Sequence, residues 1–266
     1  ILFVALALYF ASSSGGYDVT GHVLGRDFLN LHLAGGLLAG GEGDVLFSED
    51  AYMAVIHERY GNDYSVHNWS YPPTMFWLAR AAAILPYFLA LAFWQLLGIS
   101  MVALAVRALG LGQIWTVLIV LSPAGVLNAV AGQNGFITAA LLSFAIIFGQ
   151  SATVRSSVSW ALLTFKPHLG IVALPMLLMR RQWGVILIGA ALFAMLIGAT
   201  LLVWGTEPWY MFFTYTSQQQ RLVLETWRGG VEVTVQTGFM QGRQLNLATN
   251  QAYLLHGAYA AIGILL

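Results

Sequence analysis

The chain has 266 residues, of which 59% are apolar and only 8% are charged. A soluble domain carries about 25% charged residues, so the composition excludes an ordinary soluble protein and predicts an all-α, polytopic membrane protein. The formal net charge is zero and Lys166 is the sole lysine, which excludes a basic surface for nucleic acid. The absence of cysteine excludes disulfides and cysteine-based catalysis or metal binding.

Apolar segments recur along the chain and predict membrane helices or parts of them, at 1–11, 86–106, 113–131, 135–150, 156–179, 183–204 and 251–266. A spanning helix needs about 20 apolar residues, and the first and last segments are shorter. We therefore expect residues 1–266 to form a single transmembrane domain that is a fragment, truncated at both ends.

Two long polar stretches, 12–70 and 205–250, contain all eleven acidic residues. By contrast, short turns between apolar segments carry arginines, at 107, 155, 180 and 181. The positive-inside rule makes these turns cytoplasmic, so both long loops face the other side of the membrane. Residues 72–85 are too short to span and begin with two prolines, which predicts an interfacial helix that extends the first extracytoplasmic loop to 12–85.

The segment 156–179 is interrupted at its centre by Lys166-Pro167. Proline removes a helix hydrogen bond, and the residue before it avoids helical geometry. Two short helices, 156–165 and 168–179, would form a hairpin with both ends cytoplasmic and with Lys166 reaching a cavity. A single tilted crossing is the alternative.

The stretch GRDFLNLHLAGG, residues 25–36, follows the first apolar run. A helix that begins near Gly25 would hold Asp27 in its first turn, where the helix dipole favours a carboxylate, with Asn30 on the same face. A carboxylate at the membrane surface suits a general base that acts on a hydroxyl. The alternatives are a helix-capping aspartate or a surface pair with Arg26.

Two further groups of polar residues interrupt the apolar segments. Lys166, with His168 beside it, can bind a phosphate as a point charge, or it can extend its ammonium to the lipid headgroups. Gln133 and Asn134, in the sequence GQNG, can hydrogen-bond to sugar or phosphate oxygens, or they can simply form a good turn.

Both predicted outer loops contain weaker candidates. Tyr71 follows His67, Asn68 and Trp69, a composition that suits either carbohydrate contact or an ordinary interfacial aromatic belt. In the second loop, Arg221 and Arg228 could hold an anionic headgroup or merely solvate the loop. The six histidines lack metal-ligand spacing, so no metal site is expected.

The ordered set of motifs is more specific than any one of them. GRDFLNLHLAG follows the first span, YPPTMFWLARAAAILPYFLALAFW enters the second, GQNGFITAALL opens a later span, and LLTFKPHLGIVALPMLLMRRQW comes next. From about residue 22 to 204, this order resembles glycosyltransferase family 87, the polyprenyl-phosphate-mannose-dependent mannosyltransferases of the GT-C superfamily.

The resemblance implies a GT-C-like helical fold in the inner or plasma membrane of a bacterium, with the active site facing the periplasm or exterior. It also implies transfer of a hexose, mannose in the first instance, from a polyprenyl-phosphate donor to a lipid or glycan acceptor, without a cofactor. Asp27 matches the family's catalytic base, with Asp18 as the nearest rival.

The remaining residues receive roles on the same basis. Lys166, His168, Gln133, Asn134 and Arg26 would bind the donor phosphate or its sugar. Asn30, Tyr71, Arg221 and Arg228 would contact substrate.

Two other classes of function stay open on the sequence alone. One is a transporter or flippase of lipid-linked saccharides, in which Lys166 would lie at a midplane site, although no repeat of two halves is evident. The other is a non-catalytic membrane scaffold. Within the enzyme class, the donor could instead carry glucose, galactose or aminoarabinose.

Overall fold

The computed structural model describes residues 13–18, 21–61, 64–149, 153–226 and 237–265. Within these ranges the secondary structure is helical apart from isolated bridges at Ser14, Tyr17 and Val23, which confirms the all-α prediction. The α-helices, numbered in chain order, are α1 (Arg26–Gly40), α2 (Glu49–Tyr60), α3 (Phe76–Ala82), α4 (Tyr87–Ala108), α5 (Ile114–Val120), α6 (Pro123–Ala131), α7 (Gly135–Ile147), α8 (Thr153–Leu162), α9 (Pro167–Met179), α10 (Trp183–Trp204), α11 (Glu207–Met211), α12 (Ser217–Thr226), α13 (Gly238–Gln244) and α14 (Thr249–Leu265).

By its internal contacts the chain divides into two compact units, Ile1–Tyr210 and Met211–Leu266. The single transmembrane domain predicted from the sequence stays a prediction. In the second unit, Phe239 and Met240 of α13 pack with Ala252 of α14 to make a small buried cluster. The elements that form the site described below all belong to the first unit.

Helices long and apolar enough to cross a membrane are present among the described residues. Both α4 and α10 have 22 residues and strongly apolar sequences. Helices α5 and α6 together form a third candidate span, which bends by 63° between them. The bend has a local cause, because Ser122 caps α6 and Pro123 is its first residue. The chain is therefore an integral membrane protein, as its composition predicted.

Helix α1 begins as the sequence predicted, with Asp27 in its first turn. Its middle packs against α3, and the contact is close because Gly35 has no side chain. A Cβ atom on Gly35 would lie only 1.9 Å from the Ala79 carbonyl oxygen. Arg80 adds a hydrogen bond across the same contact, donating from Nη1 to the Gly35 carbonyl at 3.3 Å. The helix predicted in 72–85 is thus present, and its location at the membrane surface stays a prediction.

Helices α8 and α9 are separated at the predicted break by a 3₁₀ turn, Leu163–Phe165, followed by Lys166. The two helices fold back on each other, because Trp160 Nε1 donates to the Gly170 carbonyl at 2.8 Å. At the end of α9 remote from the break, the side chain of Gln182 lies against Gly149, which follows α7. The start of α8 lies at this same end of α7, because the Ser156 hydroxyl donates a hydrogen bond to the Ala145 carbonyl.

These contacts place both ends of the 153–182 segment at one end of α7. The intervening Leu163–Phe165 turn contacts the 3₁₀ helix Pro73–Met75, which precedes α3. The segment therefore has the geometry of the predicted hairpin rather than of one tilted crossing. Its tip carries Lys166.

Neighbouring glycines in α1 provide a matched test of the α1–α3 contact. We expect Gly35→Ala to destabilise the protein by about 1–3 kcal/mol, because its Cβ would displace the Ala79 carbonyl. A Cβ on Gly36 would meet nothing within 4 Å. Gly36→Ala should therefore be neutral or stabilising by up to about 1 kcal/mol, since alanine loses less backbone entropy in a helix.

Thermal melting of both variants, purified in detergent, measures the difference. A Gly35→Ala protein that melts as high as Gly36→Ala would show that α1 and α3 are not packed this closely.

Candidate active site

Two glycines bring the start of α1 against the turn between α6 and α7. Gly25 precedes α1 with φ at 73°, and Gly132 ends α6 with φ at 70°. This left-handed conformation favours glycine. A Cβ on Gly132 would lie 2.8 Å from Phe28 Cβ and 3.0 Å from the Gly25 carbonyl oxygen. The close approach makes Asp27 and Gln133 neighbours in space.

Gln133 holds one oxygen of the Asp27 carboxylate. Its Nε2 donates to Asp27 Oδ2 at 2.5 Å, so at least one hydrogen of the amide predicted to bind substrate is already engaged. Within the described part of the chain, Asp27 Oδ1 has no hydrogen-bond partner. The carboxylate is thus fixed by one oxygen, and the other is available to a ligand.

Tyr87, the first residue of the spanning helix α4, secures the chain that enters α1. Its hydroxyl lies 2.9 Å from the Leu24 carbonyl and 3.0 Å from the Gly25 carbonyl, and it can donate to either of them. This tyrosine was not predicted from the sequence as part of the site. The sequence feature that could have pointed to Tyr87 was its position beside Pro86, in the first turn of a predicted span.

Tyr71 and Asn134 form a second hydrogen-bonded pair. Asn134 Nδ2 donates to the Tyr71 hydroxyl at 3.1 Å, and Asn134 is almost completely buried. Burial raises the pKa of Tyr71 to about 12, and the negative charge of Asp27 acts in the same direction. The phenol therefore remains protonated at neutral pH and can donate a hydrogen bond.

The two pairs line one small cleft. Its polar lining comes from Asp27, Gln133, Asn134 and Tyr71. Apolar or small residues complete the wall: Phe28, Leu31, Met75, Trp94 and Gly132. Four residues predicted from three separate sequence motifs are thus brought together.

Lys166 approaches the same cleft from the tip of the hairpin. The turn that precedes it packs against Pro73–Met75, and Met75 itself lines the cleft. Asp27 and Lys166 are close enough to interact electrostatically. Lys166 is half-buried, whereas His168 is exposed.

An apolar groove lies beside Lys166, between α8, α9 and α10. Pro167 forms part of it, so the groove begins at the residue after the lysine. Its other lining residues are Trp160, Ala161, Leu163, Thr164, Gly170, Ile171, Leu174, Gly189, Ala190 and Phe193. Lys166 is thus next in sequence to a residue that lines an apolar surface.

The other predicted residues lie elsewhere. Arg26 is exposed, and Asn30 accepts a hydrogen bond from the Tyr52 hydroxyl at 2.9 Å; neither lines the cleft. In the second unit, Arg221 is exposed and forms a 2.9 Å ion pair with Glu225. Arg228 lies outside the described residues. Their binding roles stay predictions.

His67 is a buried histidine near the site, and it feels the charge of Asp27. Its Nδ1 lies 2.8 Å from the Ser65 carbonyl, so this nitrogen carries the proton in the neutral ring. Burial lowers the pKa of His67, while the Ser65 carbonyl and the charge of Asp27 oppose the shift. No group of histidines and carboxylates in the described ranges is arranged to hold a metal ion.

Fold and site together define an integral membrane protein with a polar cleft formed by its loops and helix ends. The sequence model of glycosyltransferase family 87 matches residues 69–266, and the chain belongs to that family. It is therefore a membrane glycosyltransferase. The match includes Tyr71, Gln133, Asn134 and Lys166, and it begins after Asp27. No curated protein and no solved structure matches the chain significantly.

The lowered pKa of His67 predicts an acid-sensitive fold. In the unfolded chain this histidine gains a proton as the pH falls below its ordinary pKa of 6.5, whereas the buried ring resists protonation. Stability is therefore complete above pH 6.5 and falls as the pH drops from there towards the folded-state pKa. We expect His67→Asn, which can keep the bond to Ser65, to melt with a weaker dependence on pH between about 7.5 and 5.

Thermal melting across this range measures the effect, and His256→Asn, at an exposed position of α14, is the control. Equal pH dependence in His67→Asn and the unmodified protein would contradict the prediction.

Proposed function

We propose that this membrane glycosyltransferase transfers a hexose, mannose in the first instance, from a polyprenyl-phosphate donor to a hydroxyl of a lipid or glycan acceptor. Family membership supports the reaction class, and the wider resemblance of the motifs supports the lipid donor and mannose. The observation that carries the mechanism is the Asp27 carboxylate, held by Gln133 at one oxygen and open to the cleft at the other.

Asp27 acts as the general base in this proposal. Its Oδ1 takes the proton of the acceptor hydroxyl while that oxygen forms a bond to the anomeric carbon. The bond between this carbon and the phosphate oxygen breaks, and its electron pair leaves with polyprenyl phosphate. A single displacement of this kind inverts the anomeric configuration. The bond from Gln133 orients the carboxylate for the step.

Lys166 stabilises the charge that develops on the departing phosphate. Electrostatic stabilisation of developing charge is usually the largest contribution to catalysis, and an ammonium at the cleft suits a phosphate oxygen. The apolar groove begins beside Lys166 and accepts the first part of the prenyl chain. No residue of the proposed step requires a cofactor.

The arginines support an orientation of the site towards the periplasm or exterior. Arg107 ends α4, whose first residue Tyr87 contacts the site. Arg155 and Arg180 lie at the ends of the hairpin remote from its Lys166 tip. Arginines concentrate in cytoplasmic turns, so the cleft would open at the opposite face.

Neither alternative class gains a supporting observation. A flippase of lipid-linked saccharides would also bind a lipid phosphate, but it needs no general base, and the family is one of glycosyltransferases. The same membership argues against a non-catalytic scaffold.

Replacement of the proposed base tests the mechanism directly. We expect Asp27→Asn to lower the transfer of radiolabelled mannose from polyprenyl-phosphate-mannose to acceptors in membranes by about 100-fold or more, because the amide cannot take the proton. The oxygen of the new amide side chain would still accept the bond from Gln133. Asp18→Asn, a matched change at the rival carboxylate, should leave transfer unchanged. If Asp27→Asn retains full transfer, the proposed mechanism is wrong.

Measurements of donor binding test the phosphate role of Lys166 separately from the general-base role of Asp27. We expect Lys166→Met to weaken binding of polyprenyl-phosphate-mannose by about 10- to 100-fold, because a charge-assisted hydrogen bond is lost, and Lys166→Arg to restore part of it. Arg155→Gln removes one charge at the remote end of the same hairpin and serves as the control. Unchanged donor affinity in Lys166→Met would exclude this role.

A further inference from the structure

The buried Asn134 amide has an oxygen without a partner. Asn134 is only 3% exposed, and its Nδ2 donates to Tyr71, but its Oδ1 has no hydrogen-bond partner in the described residues. A buried acceptor left in this state is destabilising, and native proteins rarely retain one. Because Asn134 lines the cleft, the missing partner is expected to be a ligand that donates a hydrogen bond.

Tyr71 supplies the complementary group. Its hydroxyl oxygen already accepts the hydrogen bond from Asn134, so its own proton is left to donate. The ring is fixed in place, because Trp69 packs edge-on against it with 5.2 Å between the ring centroids, and Pro72 follows directly. The cleft thus presents one acceptor and one donor side by side, both held by the fold.

We propose that Asn134 Oδ1 and the Tyr71 hydroxyl together bind one hydroxyl group of a sugar. The bound hydroxyl donates its proton to Asn134 and accepts the proton of Tyr71. This inference rests on the proposed function, since it places the sugar beside Asp27. It assigns Asn134 and Tyr71 to recognition of the sugar.

The same pattern argues against the phosphate role that the sequence suggested for Asn134. Ionised phosphate oxygens only accept hydrogen bonds, so they offer nothing to an acceptor such as Asn134 Oδ1. The nearby Asp27 carboxylate would also repel them. A hydroxyl both donates and accepts, and it carries no charge.

Either the transferred hexose or the acceptor sugar could supply this hydroxyl, and two series of probes distinguish the sources. The first contains polyprenyl-phosphate-mannose and its monodeoxy and monodeoxyfluoro analogues. The second contains methyl mannoside with the same changes. Equilibrium binding of each probe to the purified chain in lipid nanodiscs is the measurement.

We expect one position, in one series, at which the deoxy analogue binds about tenfold more weakly or worse, because both partners of the hydroxyl are left unpaired. The fluoro analogue at this position should bind as weakly, since fluorine cannot donate to Asn134. A fluoro analogue that binds like the parent sugar would overturn the proposal, because the group recognised would then only accept. Absence of any position-specific loss in both series would overturn it as well.

Tyr71→Phe then links this position to the site. The variant keeps the ring and loses only the hydroxyl, so it should weaken binding of the parent sugar about tenfold and leave binding of the sensitive deoxy analogue unchanged. Asn134→Leu should behave in the same way. Tyr60→Phe removes a half-buried hydroxyl outside the cleft and should bind every probe as the unmodified protein does. If Tyr71→Phe weakened binding of the parent sugar and of the deoxy analogue by the same factor, the Tyr71 hydroxyl would have a merely structural role.

The outcomes for this inference and for the proposed function differ. If polyprenyl-phosphate-mannose does not bind at all and methyl mannoside binds with a position-specific loss, the lipid-phosphate donor is refuted while the hydroxyl site stands. If polyprenyl-phosphate-mannose is bound and transferred without any such loss, the reaction stands and the hydroxyl site is refuted.

Discussion

The contact between Gly25 and Gly132 is the constraint on which the site depends. Each glycine adopts a left-handed backbone, and a Cβ on Gly132 would collide with the start of α1. Their approach sets the first turn of α1 against the turn between α6 and α7. The Gln133 amide then meets the Asp27 carboxylate. Backbone packing thus positions the reactive group, and Tyr87 ties that packing to a membrane-spanning helix.

A proline creates the second arrangement that the site needs. Pro167 has no amide hydrogen, so the helix ends before it and the chain reverses direction at Lys166. The reversal delivers a cation to the region that already contains Asp27. In an apolar protein, ionisable groups away from water are expensive. Bringing the opposite charges of Asp27 and Lys166 near one another reduces this cost.

The surfaces around the cleft differ sharply in polarity. The cleft is lined by the hydrogen-bonding groups of four polar side chains, and Lys166 is close enough to Asp27 to interact with it electrostatically. The groove that starts at Pro167 is almost entirely apolar and runs between α8, α9 and α10. The proposed donor, in which a sugar, a phosphate and a hydrocarbon chain follow one another, would suit these surfaces.

Local sequence signals determined the positions of several helices and of the break in the hairpin. The length of apolar runs located α4 and α10, Gly25 marked the start of α1 with Asp27 in its first turn, and Lys166-Pro167 marked the break in the hairpin. These signals are reliable because they act within a few residues. The bond from Gln133 to Asp27 joins residues 106 apart, and the Asn134–Tyr71 bond joins residues 63 apart. Only the tertiary structure decided such pairings, because they follow from how closely separate helices approach, which no single segment specifies.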